Sequence, residues 1–170
     1  LAATGMIDLR LRARDITEES AKIALARAAA DVGEVLGLDV VGSDGESLEV
    51  VVGHLLRLRR LRLAVAESCT GGLVSSRLTD VPGSSDYFTC GLVAYSNHVK
   101  TDMLCVPEDL IVTHGAVSEP VAVAMAVGVR RMAGVDVGVG VTGIAGPGGG
   151  TDAKPVGTVA IAIDGPGDGR

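Results

Sequence analysis

An apolar run in LRLAVAESCTGG, residues 61–72, ends on four polar side chains, Glu67, Ser68, Cys69 and Thr70, followed by two glycines. A hydroxyl, a thiol and a carboxylate where a strand meets a glycine turn are held stiffly and left open to a ligand, which is how α/β enzymes present reacting groups. Ser68 is a candidate nucleophile. Beside it the backbone N–H groups of Thr70, Gly71 and Gly72, near a helix start, would bind an anion or a developing oxyanion. The alternative for Ser68 is a helix cap. Cys69 is the rival nucleophile, or else a small core packer. Glu67 orients a base or holds a substrate hydroxyl, or it is simply satisfied by nearby N–H groups.

A second cluster lies in YSNHVK, residues 95–100. Asn97 is placed to cap a helix carrying Lys100, one turn after Ser96 and Asn97. A lysine beside a serine and drawn out of water loses its proton more easily and serves as a general base, with Tyr95 to relay or orient. The alternative is an exposed surface lysine. The third cluster is VTGIAGPGGGTDAKPVGT, residues 141–158. Thr142 and Gly143 again end an apolar strand, and Gly146, Gly148, Gly149 and Gly150 precede Lys154. Glycines let backbone N–H groups approach a phosphate; a merely flexible loop is the alternative. The pattern is neither G-x-G-x-x-G nor a Walker loop. VPGSS, residues 81–85, would present Ser84 and Ser85 at the same rim.

These groups need a frame. Met6–Arg14 alternates as a half-buried strand, with Ile7, Leu9, Leu11 and Ala13 on one side. Thr17 starts a helix to about Leu36, stopped by Gly37; a capping box is excluded because Ser20 is neither Glu nor Gln. GSDGE, residues 42–46, reads as a boundary. Residues 1–41 are too little for a domain and look like the remnant of a preceding middle domain; residues 42–170 form the second domain. Ser47–Arg60 is a helix whose basic end, Arg57, Arg59 and Arg60, reads as a solvated face. Strands follow at Leu61–Glu67, Cys90–Tyr95, Val135–Val141 and Val156–Ile163. Helices fall at Gly72–Leu78, Val99–Leu104 and, capped by Ser118, up to about Met132, with a single helical turn at Pro107–Leu110. The alternation predicts an α/β fold, a three-layer α/β/α sandwich around a mostly parallel or mixed sheet. Polar strand ends gather on one edge of such a sheet and make a pocket there. A covering helix is expected after Gly169 and Arg170.

Composition narrows the function. The formal net charge is -6 and aromatic residues make up 2%, so neither a basic surface nor stacking platforms favour direct nucleic-acid binding. Cys69, Cys90 and Cys105 fit neither a disulfide framework nor a zinc knuckle, and His54, His98 and His114 lack metal-ligand spacing, so no metal site is expected. Asp8 and Arg10 interrupt any signal peptide, and no apolar stretch approaches a membrane span. The expectation is a soluble cytoplasmic protein in a reducing compartment. Helices rich in Val and Ala favour a homodimer.

AESCTGG, VPGSS, GLVAYSNHVK, HGAVSEPVAVAMA and VTGIAGPGGGT…KPVGTV occur together, in order, across about residues 44–163. Together they closely resemble the C-terminal domain of the competence/damage-inducible CinA family, which is similar to stand-alone nicotinamide-nucleotide amidases. The resemblance implies hydrolysis of nicotinamide mononucleotide to nicotinate mononucleotide and ammonia, with no cofactor and no metal. It implies Ser68 as nucleophile, Lys100 as base and Tyr95 as polar partner. Thr70, Gly71 and Gly72 match the turn beside the nucleophile, Asn97 the loop that fixes the lysine, and Thr142, Gly143 and the following glycines the mononucleotide loop. The motifs fix no role for Glu67 or Lys154. A non-catalytic nucleotide-binding or partner-binding module is the alternative. Long members carry a further N-terminal nucleotide-binding domain, which these residues do not include.

Overall fold

The computed structural model describes residues 2–3, 5–14 and 17–167, and the chain divides into two units, Leu1–Glu46 and Ser47–Arg170. In the first, β1 (Ala2–Ala3) pairs antiparallel with β2 (Met6–Ile7). The strand expected over Met6–Arg14 is therefore cut to its first two residues. Asp8–Arg14 is irregular, and Ile7 is 84% exposed. Alternation makes a strand only where a partner offers hydrogen bonds and an apolar face, and none of the described residues pairs there. Next comes α1 (Glu18–Leu36), ended by Gly37. Its start does carry a capping box, contrary to the sequence expectation: Ser20 N donates to Thr17 Oγ1 at 3.1 Å and Thr17 N to Ser20 Oγ at 3.3 Å. A serine hydroxyl accepts where glutamate usually does.

The second unit runs α2 (Leu48–Arg59), β3 (Leu63–Glu67), α3 (Leu73–Thr79), β4 (Phe88–Val93), α4 (Asn97–Leu104), α5 (Glu108–His114), α6 (Glu119–Ala133), β5 (Val137–Gly143) and β6 (Val159–Asp164). The sheet order is β4-β3-β5-β6, with β3 parallel to both neighbours and β6 antiparallel to β5. This is the three-layer α/β/α sandwich around a mixed sheet.

Side-chain alternation along β3 builds the two cores. Ala64 and Ala66 pack with Val121, Met125 and Val129 of α6 on one face. Leu63 and Val65 pack with Leu78 of α3, Tyr87, and Val52 and Leu56 of α2 on the other. Two glycines of β5 let α6 lie close: a Cβ at Gly138 or Gly140 would run into the α6 carbonyls of Ala126 or Ala122.

The connections decide where a site forms. From β3 the chain crosses to β4 through α3 on one face, then returns over β3 to β5 through α4–α6 on the other. The connections diverge at the carboxyl end of β3, which opens a crevice there. Ser68 is the first residue past β3.

Ser84 and Ser85 are not at that rim. They sit in a tight turn before β4, beside the amino end of the sheet, where Leu63 N donates to Tyr87 O at 2.7 Å. An α3-to-β4 loop must fall on the edge opposite the one that β3 leaves. Arg57, Arg59 and Arg60 are exposed, as a solvated face requires, but Arg57 also donates from its guanidinium to Pro82 O at 2.9 Å and lies 5.2 Å from the Tyr87 ring centroid, tying α2 to this turn.

Candidate active site

Glu67 and Ser68 are neighbours in sequence and point to opposite faces. Glu67 turns to α3 and is fully buried. Its Oε2 accepts from the N–H groups of Gly72 at 3.1 Å and Val74 at 3.0 Å. Oε1 accepts from Ser75 N at 2.8 Å and Ser75 Oγ at 2.6 Å. The carboxylate thus supplies the cap that Gly72, the N-cap residue of α3, has no side chain to give. Burial alone would raise its pKa; the hydroxyl of Ser75 and the N–H groups of Ser75 and Val74 outweigh burial and hold it below the ordinary carboxylate range. Glu67→Gln turns an amide toward these donors and is expected to cost about 2 kcal/mol in urea unfolding. The stability that Glu67 gives is present above its unfolded pKa, about 4.3, and is lost as pH falls through its lower folded value. The variant will lack that acid dependence; equal stability of the two proteins across pH would refute the anchor.

After Ser68 the chain turns sharply. Gly71 N donates to Ser68 O at 3.1 Å. Gly71 and Gly72 have φ of 61° and 100°, which glycine adopts without strain. Both N–H groups are thereby committed, Gly71 to Ser68 and Gly72 to Glu67, so neither is free for an anion. The anion cradle expected at this turn is reduced accordingly.

Ser68 Oγ faces Lys100. Helix side chains lean toward the helix N-terminus, so Lys100, in the first turns of α4, folds back over the residues before it. Its Nζ donates to Ser68 Oγ at 3.1 Å, Ala94 O at 2.9 Å and Tyr95 O at 3.1 Å. Lys100 is only 1% exposed, and burial lowers its pKa from the usual lysine value. The cap of α4 is Ser96, whose Oγ accepts from Val99 N at 3.3 Å; Asn97 is the first helical residue rather than the cap. Serine wins because it holds the extended backbone of an N-cap, φ -85° and ψ 157°.

An open cleft of about 220 Å³ is lined by Ser68, Cys69, Tyr95, Asn97, Lys100, Ala116, Val117, Thr142, Gly143 and Ala145. Three strand ends therefore converge, those of β3, β4 and β5. Tyr95 gives its carbonyl to Lys100, while the residue as a whole is 71% exposed at the mouth. Burial pushes the Cys69 thiol pKa up, despite its own N–H, the Lys100 charge and the Thr70 N–H, and a Cβ on Gly143 would strike its sulfur. Thr70 Oγ1 is buried without a hydrogen-bond partner among the described residues. Gly146, Gly148 and Gly149 do not line the cleft, and Gly148 and Gly149 are exposed. Lys154 does not line the cleft; its Nζ donates to His114 O and to the carbonyl of Val117, which does.

Sequence reasoning missed Ala116 and Val117. They belong to the α5–α6 connector and carry no reactive group. Their signal is topological: a connector entering α6, which leads back to β5, must lie on the carboxyl edge of the sheet. Among the described residues no three His, Cys, Asp or Glu side chains gather to hold a metal ion, and no helix is long and apolar enough to cross a membrane.

The family profile described as the CinA C-terminal domain matches residues 45–169. A putative competence-damage inducible protein of Moorella thermoacetica is 51% identical over 164 residues, covering 96% of this chain and 40% of its own length. A CinA-like protein of Koribacter versatilis is 50% identical over 163 residues, covering 96% of this chain and 39% of its own. The chain thus spans about two fifths of the length of these curated relatives. Among solved structures, a competence/damage inducible protein from Agrobacterium tumefaciens matches with TM-score 0.67 and 42% identity, over 69% of this chain and 72% of that one. A CinA superfamily protein from Escherichia coli matches with TM-score 0.68 and 31% identity, over 79% of this chain and 81% of that one.

Proposed function

The chain belongs to the CinA family, and from that premise we propose that it hydrolyses nicotinamide mononucleotide to nicotinate mononucleotide and ammonia, with Ser68 as nucleophile and Lys100 as base. The observation that carries the reading is the buried contact of 3.1 Å between Lys100 Nζ and Ser68 Oγ.

Neutral lysine has two N–H bonds and one lone pair. The Ala94 and Tyr95 carbonyls take the two N–H bonds, which aims the lone pair at the Ser68 hydroxyl. Ser68 Oγ attacks the carboxamide carbon as its proton passes to Lys100. With Gly71 and Gly72 committed, the N–H groups of Cys69 and Thr70 are the donors left at this turn for the oxyanion in this reading. Lys100 returns the proton to the departing nitrogen, and ammonia leaves. Water, deprotonated by the same amine, then cleaves the acyl ester and restores Ser68. Tyr95, Asn97, Thr142 and Gly143 are the substrate contacts in this reading.

The test is ammonia release, with nicotinate mononucleotide as co-product, from the purified chain. Nucleotide binding without turnover would overturn the amidase and favour a binding module. Cys69→Ala separates the two candidate nucleophiles. A thiol held protonated by burial is a poor nucleophile, so the variant should keep its rate within about threefold. Loss of activity in this variant, with Ser68→Ala still active, would move the chemistry to sulfur.

A further inference from the structure

The α5–α6 connector is neither helix nor strand, yet its first three carbonyls, and that of His114 at the end of α5, accept from side chains. His114 O accepts from Lys154 Nζ at 2.8 Å, Gly115 O from Ser118 Oγ at 2.9 Å, Ala116 O from Thr142 Oγ1 at 2.9 Å, and Val117 O from Lys154 Nζ at 2.7 Å. Ser118 thus holds the connector instead of capping α6. Lys154 alone reaches two of the four, and it does so from the loop after β5. Its own backbone is fixed by a reciprocal pair, Thr151 N to Lys154 O at 2.8 Å and Lys154 N to Thr151 O at 3.1 Å. Bonds from an ammonium to carbonyls are stronger than neutral ones.

We propose that Lys154 is a positioning residue: it clips the Ala116–Val117 wall of the cleft at the spacing from Ser68 that the substrate requires. It lies outside the cleft and makes no bond to Ser68 or Lys100, so it acts through the wall. Thr142 still holds Ala116 from β5 when Lys154 is lost, so the wall loosens without detaching. The substrate's identity here rests on the amidase reading; the clip itself does not.

Lys154→Met keeps the length of the side chain and removes its donors, and Lys154→Arg restores donors. In Lys154→Met the KM for nicotinamide mononucleotide should rise about tenfold with kcat within about threefold, and Lys154→Arg should recover part of the loss. Amide hydrogen exchange at residues 114–119 should speed up at least about tenfold, with β3 and β5 unchanged. Unchanged exchange in that segment overturns the clip. So does an unchanged KM in an enzyme that turns over, or faster exchange throughout the domain with a fall in Tm, which marks a general structural role. If the native chain releases no ammonia, the amidase reading fails, and the exchange comparison still decides the clip.

Discussion

Ser68→Ala will lower ammonia release from nicotinamide mononucleotide by at least about 10⁴-fold, the scale on which removing a nucleophile acts. The fold will survive. Ser68 Oγ takes one side-chain hydrogen bond, from Lys100, and Lys100 keeps the Ala94 and Tyr95 carbonyls as acceptors when that oxygen is gone. The cooperative unfolding transition should stay within a few degrees of the native one, since deleting one weak hydrogen bond costs roughly 1 kcal/mol. Nucleotide binding should persist in the inactive variant. Native-like turnover by Ser68→Ala would end the serine assignment.

Lys100→Met should lower kcat by roughly 10³-fold or more, the upper range for a positioned general base. Lys100→Arg should be as inactive, because a guanidinium keeps its charge and cannot accept the serine proton. The native rate should climb as pH rises through the depressed pKa of Lys100 and then level off; the residual rate of Lys100→Met should lack that limb. Stability responds with the same sign. The folded pKa lies below the unfolded one, so between them the unfolded chain binds more protons. The native protein therefore gains stability relative to Lys100→Met as pH rises from the folded value toward about 10.4. Parallel pH profiles for native and variant, in rate and in stability, would show that Lys100 does not titrate in the site.

Much of this frame is legible in the chain, and the reasons are local. An apolar run cut off by polar residues marks β3 and one lying between Gly134 and Gly143 marks β5, while Gly37 and Gly134 end α1 and α6. Lys100 is legible as a partner of Ser68 only through the family resemblance; helix geometry, which throws a side chain back toward the residues before the helix, explains how it reaches that serine. What escapes is whatever depends on parity or on a distant partner. The opposite facing of Glu67 and Ser68 follows from strand alternation, yet residue type alone makes both look like site groups. Ser84 and Ser85 resemble rim residues until the direction of β4 assigns them to the other edge. The Met6–Arg14 alternation is a real pattern with no sheet to receive it. Ala116 and Val117 have no reactive atoms, and only the path of the chain brings them to the cleft.

The crevice over β3 divides labour between its banks. On one, the turn after β3 and the start of α4 hold the serine and the amine. On the other, a stretch without regular structure is moored by side chains from β5 and the loop beyond it. On the amidase reading, reactivity and selectivity are thus inherited on separate pieces of chain. On that reading, remodelling residues 114–118, or the loop that carries Lys154, would change which amide fits while leaving the serine and the amine intact. A scaffold so divided can drift toward new substrates by altering its mould alone.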